Sequence, residues 1–200
     1  DYINISSKSE NLNLNNTFTI EIWFKPANLA QSQKYLITKQ NTYSIIWEDV
    51  DNTMEFFSNG YNGDNPRIGS QISVSDTNWH NIIYSYNSTS WKGYKDGGLI
   101  FENNTAKFYL MNSTLMDLFI GSSNSITANF NGAIDNVRIY NKALTSNEIQ
   151  DHYNKVKLYY QPSFKFDGVN DYIQAVNSQT YNFSSNQSFS LETWIYSKSA

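Results

Sequence analysis

Two short motifs occur twice in this chain, and their spacing limits the length of each folded unit. The tripeptide Asp-Tyr-Ile stands at 1–3 and again at 171–173. The run Phe-Thr-Ile-Glu-Ile-Trp at 18–23 returns as Phe-Ser-Leu-Glu-Thr-Trp at 189–194. Both pairs are about 170 residues apart, which indicates an internal repeat of domain size. The chain is therefore predicted to be a window cut from a tandem array of modules.

The repeat predicts how the chain divides. We expect a module at 1–157 that lacks its first strand, a linker at 158–163, and the truncated start of a second module at 164–200. The first copy has no counterpart of 163–170, and a sheet without one of its strands leaves an unpaired edge. Two alternatives follow for the C-terminal fragment: it donates a strand to that edge, or it stays loosely packed because it cannot bury its own apolar face.

Alternating apolar and polar residues predict the strands of the first module. Phe18, Ile20, Ile22 and Phe24 share one face of a strand, and Pro26 ends it because proline cannot donate to a sheet. Further short strands between Asn, Gly and Asp turns are predicted at 1–5, 35–38, 43–47, 54–57, 78–86, 93–97 and 118–121. Strands at this spacing predict an all-β fold, an antiparallel two-sheet β-sandwich.

The segment 130–149 combines a closing strand with the start of a helix. Its period of two places four side chains on one face of the strand: Ala133, Asp135, Val137 and Ile139. Thr145 stands three residues before Glu148, which is the spacing of a capping box. We therefore predict one short C-terminal helix, from Ser146 to about Tyr153.

The composition excludes several classes of function. The net charge of −4 provides no basic face for nucleic acid. The chain has no cysteine, which rules out thiol catalysis, disulfides and cysteine-based zinc sites. No apolar run approaches the roughly 20 residues of a membrane-spanning helix, so no membrane insertion is expected within this chain.

Six motifs in their order along a module resemble one family. They are Phe-Asp-Gly-Val-Asn-Asp-Tyr at 166–172, Phe-Thr-Ile-Glu-Ile-Trp-Phe at 18–24, Trp-His-Asn-Ile-Ile-Tyr at 79–84, Tyr-Lys-Asp-Gly at 94–97, Leu-Phe-Ile-Gly at 118–121 and the run at 130–145. The series resembles the laminin-G-like, pentraxin-like modules of the concanavalin A-like lectin/glucanase superfamily. The resemblance covers the whole chain except the linker and implies a jelly roll of two antiparallel sheets, one of them concave.

The resemblance also implies that the rim of the sheet can hold calcium. Related modules bind the ion with an Asp near the first strand and an Asp in the closing strand. The matching residues are Asp135 with Asp167 or Asp171, and Asp1 stands for the latter in the first copy. Calcium takes about six to eight oxygen ligands. The alternative for Asp135 is that its carboxylate caps backbone amides at the rim.

Two aromatic residues beside polar groups are candidates for stacking on a sugar. Trp91 is predicted on the strand face opposite to Tyr94, and Tyr61 lies in a polar loop with Asn62 and Asp64. Apolar ring faces can stack on a sugar while amides and carboxylates bind its hydroxyls. The alternative for each aromatic residue is ordinary packing.

The carboxylates do not form the pair that glycoside hydrolysis needs across a cleft. In the stretch at 47–51, Glu48 and Asp49 face opposite sides of the strand, and Asp51 is next to a turn. His80 has no catalytic partner at a recognisable spacing and is predicted to be a hydrogen-bonded core residue. We therefore expect no enzymatic activity from this chain.

The leading functional prediction is a non-catalytic extracellular binding or adhesion module, repeated in tandem. Its partner would be a glycan or a cell-surface protein. The repetition supports a binding function, because weak sites in tandem gain affinity through effective concentration. Two alternatives stay open. In one, the modules serve only as structural spacers; in the other, they are accessory carbohydrate-binding modules of a larger glycoside-active enzyme.

Overall fold

The computed structural model describes residues 1–6, 12–14, 16–30, 32–39, 42–48, 52–58, 67–104, 116–123 and 128–160. The predictions for the second module and for strand donation lie outside these residues. In chain order the strands are β1 Ile3–Ile5, β2 Phe18–Pro26, β3 Lys34–Lys39, β4 Tyr43–Glu48, β5 Thr53–Ser58, β6 Arg67–Ser73, β7 His80–Tyr86, β8 Trp91–Lys95, β9 Gly98–Asn103, β10 Leu118–Ile120 and β11 Gly132–Tyr140, followed by the helix α1 Ser146–Tyr160.

The strands form two antiparallel sheets, which confirms the predicted β-sandwich. The order is β1-β10-β3-β4-β5-β6 in the six-stranded sheet and β11-β2-β7-β8-β9 in the five-stranded sheet. The core between them buries the predicted face of β2 completely, and it takes Ile45 and Trp47 from the facing sheet. Burial of these apolar side chains is the main force that holds the two sheets together.

The outer face of the five-stranded sheet is also covered where β2 and β7 lie. Thr19, Glu21 and Trp23 alternate with the core residues of β2, yet each is no more than 2% exposed. The reason is a second layer, in which Leu144 and Ile149 pack with Ile83 from β7. The polar and aromatic outer residues of β2 are thus covered by α1 and the segment that leads into it.

A β-bulge in β11 changes which side chains lie on each face of the strand, compared with the prediction. Asp135 pairs with Trp23 and Arg138 with Glu21, so β11 has one residue more than β2 in this interval. The extra residue is accommodated at Asn136, whose φ of 47° lies in the left-handed region that Asn tolerates.

The bulge changes which side chains point inward. Ile134 packs on the core before the bulge, whereas Val137 and Ile139 pack on it afterwards. Asp135 is exposed and does not share their face, so the prediction that joined them was wrong.

The helix begins as predicted and ends later. The backbone amide of Thr145 donates to Glu148 Oε2 over 2.8 Å, and the amide of Glu148 donates to Thr145 Oγ1 over 3.3 Å, which is a capping box. The helix continues past Tyr153 to Tyr160, so residues 158–160 of the predicted linker are helical. The reason is an apolar stripe at helical spacing, formed by Ile149, Tyr153, Val156 and Tyr160.

Within the described ranges, α1 falls short of the length and apolar character that a membrane-spanning helix requires.

Candidate functional site

Two tryptophans and two tyrosines stack in a row where α1 crosses the five-stranded sheet. Trp23, in the middle of β2, lies parallel to the Tyr153 ring, with centroids 5.6 Å apart and an interplanar angle of 5°. Its centroid is 4.6 Å from that of Tyr160. Tyr160 in turn stacks on Trp79, just before β7, at 4.4 Å. The spacing of Tyr153 and Tyr160 along the helix presents both rings to the sheet.

The bulge in β11 brings two polar side chains to the end of this row. Asn136 Nδ2 donates to the hydroxyl oxygen of Tyr160 over 2.6 Å. Burial raises the pKa of Tyr160 to about 12, opposed by the bond from Asn136 and increased by a hydrogen bond to Asp135. The Tyr160 hydroxyl therefore has both a donor and a carboxylate acceptor. We call the groups that contact Tyr160 the bulge site: Trp23, Trp79, Asp135 and Asn136.

The bulge site combines ring faces with hydrogen-bonding groups at a partly open surface. Trp79, Asn136 and Tyr160 are half-buried, and Asp135 is exposed. Trp23 is 2% exposed, and its indole Nε1 has no hydrogen-bond partner among the described residues. Chemically, this set can hold an apolar ring face and a hydroxyl group at the same time.

A buried charged network lies beside the bulge site and fixes α1 to the sheet. Glu21 is fully buried, and its carboxylate lies 3.4 Å from Arg138 Nη1 on β11. From the helix, His152 Nδ1 is 3.3 Å from Glu21 Oε2. The Tyr140 hydroxyl also donates to Glu21, and the Asn81 amide does so over 3.4 Å. A buried carboxylate requires such partners, so the network is explained by stability alone.

The described residues do not provide the predicted calcium ligands. The Asp135 carboxylate accepts the backbone amide of Asn136 over 2.6 Å, which is the predicted alternative of amide capping. Asp1 is exposed, and its backbone oxygen lies close to Gly121 near the Ile134 side chain. Because neighbouring side chains of a strand point to opposite faces, Asp135 is directed away from Asp1.

Within the described ranges no group of three or more His, Asp or Glu residues could hold a metal ion. Asp167 and Asp171 lie outside those ranges, so the calcium prediction now depends on them.

Trp91 is a core residue, so its prediction as a ligand contact was wrong. It is completely buried, and its ring packs on Phe56 at 4.9 Å, Tyr86 at 4.7 Å and Phe18 at 5.5 Å. The strand pattern separated Trp91 from Tyr94 correctly, but the face of Trp91 is the inner one. The other predicted ligand contacts, Tyr61, Asn62 and Asp64, lie outside the described residues.

His80 is a hydrogen-bonded core residue, as predicted. It is 5% exposed, and its Nδ1 is 3.0 Å from Asp96 Oδ2. Asp76 also approaches it, with Oδ1 3.3 Å from Nε2. The amide of Asn78, and secondarily the neighbouring His80, lower the pKa of Asp76. These contacts hold the start of β7 and the turn after β8 together.

The fold is a jelly-roll β-sandwich, and the match of the sequence to a family model identifies the family. Residues 1–150 match the Laminin_G_3 model, described as concanavalin A-like lectin/glucanases superfamily. The chain therefore belongs to this laminin-G-like family. The match ends at residue 150, so Tyr153 and Tyr160 lie beyond it. A search of curated proteins gave no match.

Several solved structures share the fold. One is domain 4 of AbnA, an extracellular GH43 arabinanase from Geobacillus stearothermophilus in complex with arabinotriose, with a TM-score of 0.56, 19% identity, and coverage of 70% of this chain and 68% of that one. Another is the ligand binding domain of botulinum neurotoxin serotype D in complex with N-acetylneuraminic acid, with a TM-score of 0.62, 16% identity, and coverage of 84% and 44%.

A third similar structure is the binding domain of Paraclostridial Mosquitocidal Protein 1, with a TM-score of 0.59, 17% identity, and coverage of 77% of this chain and 43% of that one. The chain thus spans less than half of the two toxin domains. Likeness at these identities establishes the fold, and the bulge site has to be judged by its own chemistry.

Proposed function

We propose that this chain is a non-catalytic extracellular module that binds carbohydrate, and that the sugar contacts the bulge site. The observation that carries the proposal is how this site holds Tyr160. Two indole rings contact its aromatic ring, and Asn136 binds its hydroxyl group. A pyranose or furanose ring presents the same two features, an apolar face and hydroxyl groups that both donate and accept.

The similar structures support this choice of ligand class. The arabinanase domain was solved with an arabinose oligosaccharide and the neurotoxin domain with a sialic acid. The arabinanase is an extracellular enzyme, which favours an extracellular location for this module. Tandem repetition would raise the affinity of a weak single site through effective concentration.

The accessory-module alternative has one specific observation in its favour. The arabinanase neighbour is a domain of a glycoside hydrolase, and it aligns over 68% of its length. In that case the catalytic carboxylates would belong to another domain. A partner on the surface of another protein, or a spacer without any ligand, is the outcome that a negative glycan screen would favour.

The test is a glycan array that includes arabinotriose and N-acetylneuraminic acid, followed by titration of the sugars that bind. Trp79→Ala should weaken binding by up to about tenfold, because an aromatic contact contributes about 0.5–1.5 kcal/mol and about 1.4 kcal/mol corresponds to a factor of ten. Tyr2→Ala is the matched control, since Tyr2 is 53% exposed and precedes β1, in the other sheet. Equal losses in both variants would contradict the proposed site.

A further inference from the structure

We propose that Tyr160 is an internal competitor for the sugar, and that a bound glycan displaces it together with the last turn of α1. This inference rests on the proposed carbohydrate function and adds a mechanism that regulates the same site. Tyr160 contacts both indoles of the bulge site and hydrogen-bonds to Asn136. A sugar that used these groups would occupy the same volume, so the two cannot bind together.

Tyr160 is an incomplete occupant of the site. Within the part of the chain that the structure describes, the buried Nε1 of Trp23 has no hydrogen-bond partner, although the Tyr160 ring lies against the same indole. An unsatisfied buried donor is unfavourable, whereas a sugar carries several hydroxyl groups that could accept from it. A glycan therefore has a potential contact that the tyrosine cannot make.

Apart from Tyr160 itself, few apolar contacts hold the last turn of α1. Val156 is its last buried apolar residue, and the next two apolar residues, Leu158 and Tyr159, are 71% and 81% exposed. Helix ends open at little cost in free energy when few apolar contacts hold them. The start of the helix is different, because Ile149 is fully buried and His152 reaches the Glu21 network. Only the end needs to move.

The competition would lower the apparent affinity of the module. A ligand that binds only the open form has its affinity reduced by the fraction of molecules in that form. If Tyr160 leaves the site in about 10% of molecules, its removal should tighten binding about tenfold. The extension of α1 beyond the family match would then set the strength of the module.

The experiment compares Tyr160→Ala with Tyr159→Ala in the full chain, on the array that contains arabinotriose and N-acetylneuraminic acid. We expect Tyr160→Ala to bind about tenfold or more tightly than the wild type. Tyr159→Ala should bind like the wild type, because its side chain is exposed. Tyr160→Phe keeps the ring and loses the hydroxyl, so the affinity of this variant for the sugar should lie between those of the wild type and of Tyr160→Ala.

The outcomes separate this inference from the proposed function. If the wild type binds sugar and Tyr160→Ala binds equally or more weakly, the competitor role is wrong and the carbohydrate function stands. If neither protein binds any glycan on the array, the proposed function fails and the competitor role fails with it. Tighter binding by Tyr160→Ala supports both.

Hydrogen exchange provides a second measurement, which does not depend on a variant. Saturating the wild type with a sugar that binds it should speed amide exchange at 157–160 and leave exchange near Ile149 unchanged. Protection or no change at 157–160 while the sugar is bound would overturn the displacement.

Discussion

Asn136 and Tyr160 are joined by a hydrogen bond of 2.6 Å between the side-chain amide nitrogen and the phenol oxygen. The bond connects a strand bulge to the last residue of the helix. Asn136 also accepts from Arg138 Nη2 over 3.0 Å, so one side chain links the bulge site to the charged network. The stability of the helix end and the geometry of the site should therefore change together.

Substitutions of Asn136 should separate backbone strain from the lost side-chain bonds. Asn136→Ala keeps a Cβ at a positive φ, which costs about 1–2 kcal/mol, and removes bonds worth about 1 kcal/mol. Asn136→Gly relieves the strain and should be more stable than the Ala variant by about 1 kcal/mol. Urea unfolding measures the difference, with the exposed Asn4→Ala as control. Equal stability of the Ala variant and the wild type would show that the bulge is formed differently.

Removal of the buried carboxylate should loosen α1. Glu21→Ala leaves the half-exposed Arg138 without this partner and should lower the free energy of unfolding by about 2–3 kcal/mol. Glu21→Gln keeps an acceptor for hydrogen bonds and should cost less. The surface pair of Lys92 and Glu102 provides the control, since Glu102→Gln should change stability by no more than about 0.5 kcal/mol. A loss of similar size at Glu102 would mean that burial of Glu21 has no special role.

The capping box should make the stability of the folded state depend on pH in the acidic range. Hydrogen bonds from Lys142 and from the Thr145 amide lower the pKa of Glu148 from 4.5 to about 2. A carboxyl group whose pKa is lower in the folded state stabilises that state above pH 4.5 and loses this effect as the pH falls towards about 2. Glu148→Gln should remove this part of the acid dependence, measured as melting temperature against pH. An identical profile in the variant would contradict the shift.

EDTA should lower the melting temperature of the full chain only if Asp167 or Asp171 completes the predicted calcium site with Asp135. Asp135 already has protein partners in Asn136 and Tyr160, and the described residues hold no three-residue metal group. A bound ion would stabilise the folded state by mass action. A fall with EDTA that disappears in Asp135→Asn would restore the calcium site, and Asp167→Asn and Asp171→Asn would then identify the other ligand.

Local patterns were enough to predict most of the strands and the start of the helix, whereas β6 and β9 were not among the predicted strands. Both features depend only on residues that are close in sequence: the alternation at Phe18, Ile20 and Ile22, and the capping pair of Thr145 and Glu148. The extension of α1 beyond Tyr153 was not predicted, although the sequence contains a signal for it: Ile149, Tyr153, Val156 and Tyr160 follow helical spacing.

The site itself could not be predicted in the same way. A period of two separates the faces of β8 but does not say which one is internal, so it could not decide between a sugar contact and core packing for Trp91. The bulge depends on one residue that the partner strand lacks, which no pattern within β11 reveals. The contacts of Tyr160 with Trp23 and Trp79 join segments that are far apart in sequence.

The single extra residue in β11 has a consequence for comparing relatives. Before it, even-numbered positions of the strand point inward, and after it, odd-numbered positions do. An alignment that treats the strand as uninterrupted will match core residues of one protein with surface residues of another on one side of Asn136. A relative with one residue fewer here can keep the same sandwich, yet its Asp135 equivalent would lose its place beside the helix. One deletion in an alignment column would thus sort family members into those that can carry this site and those that cannot.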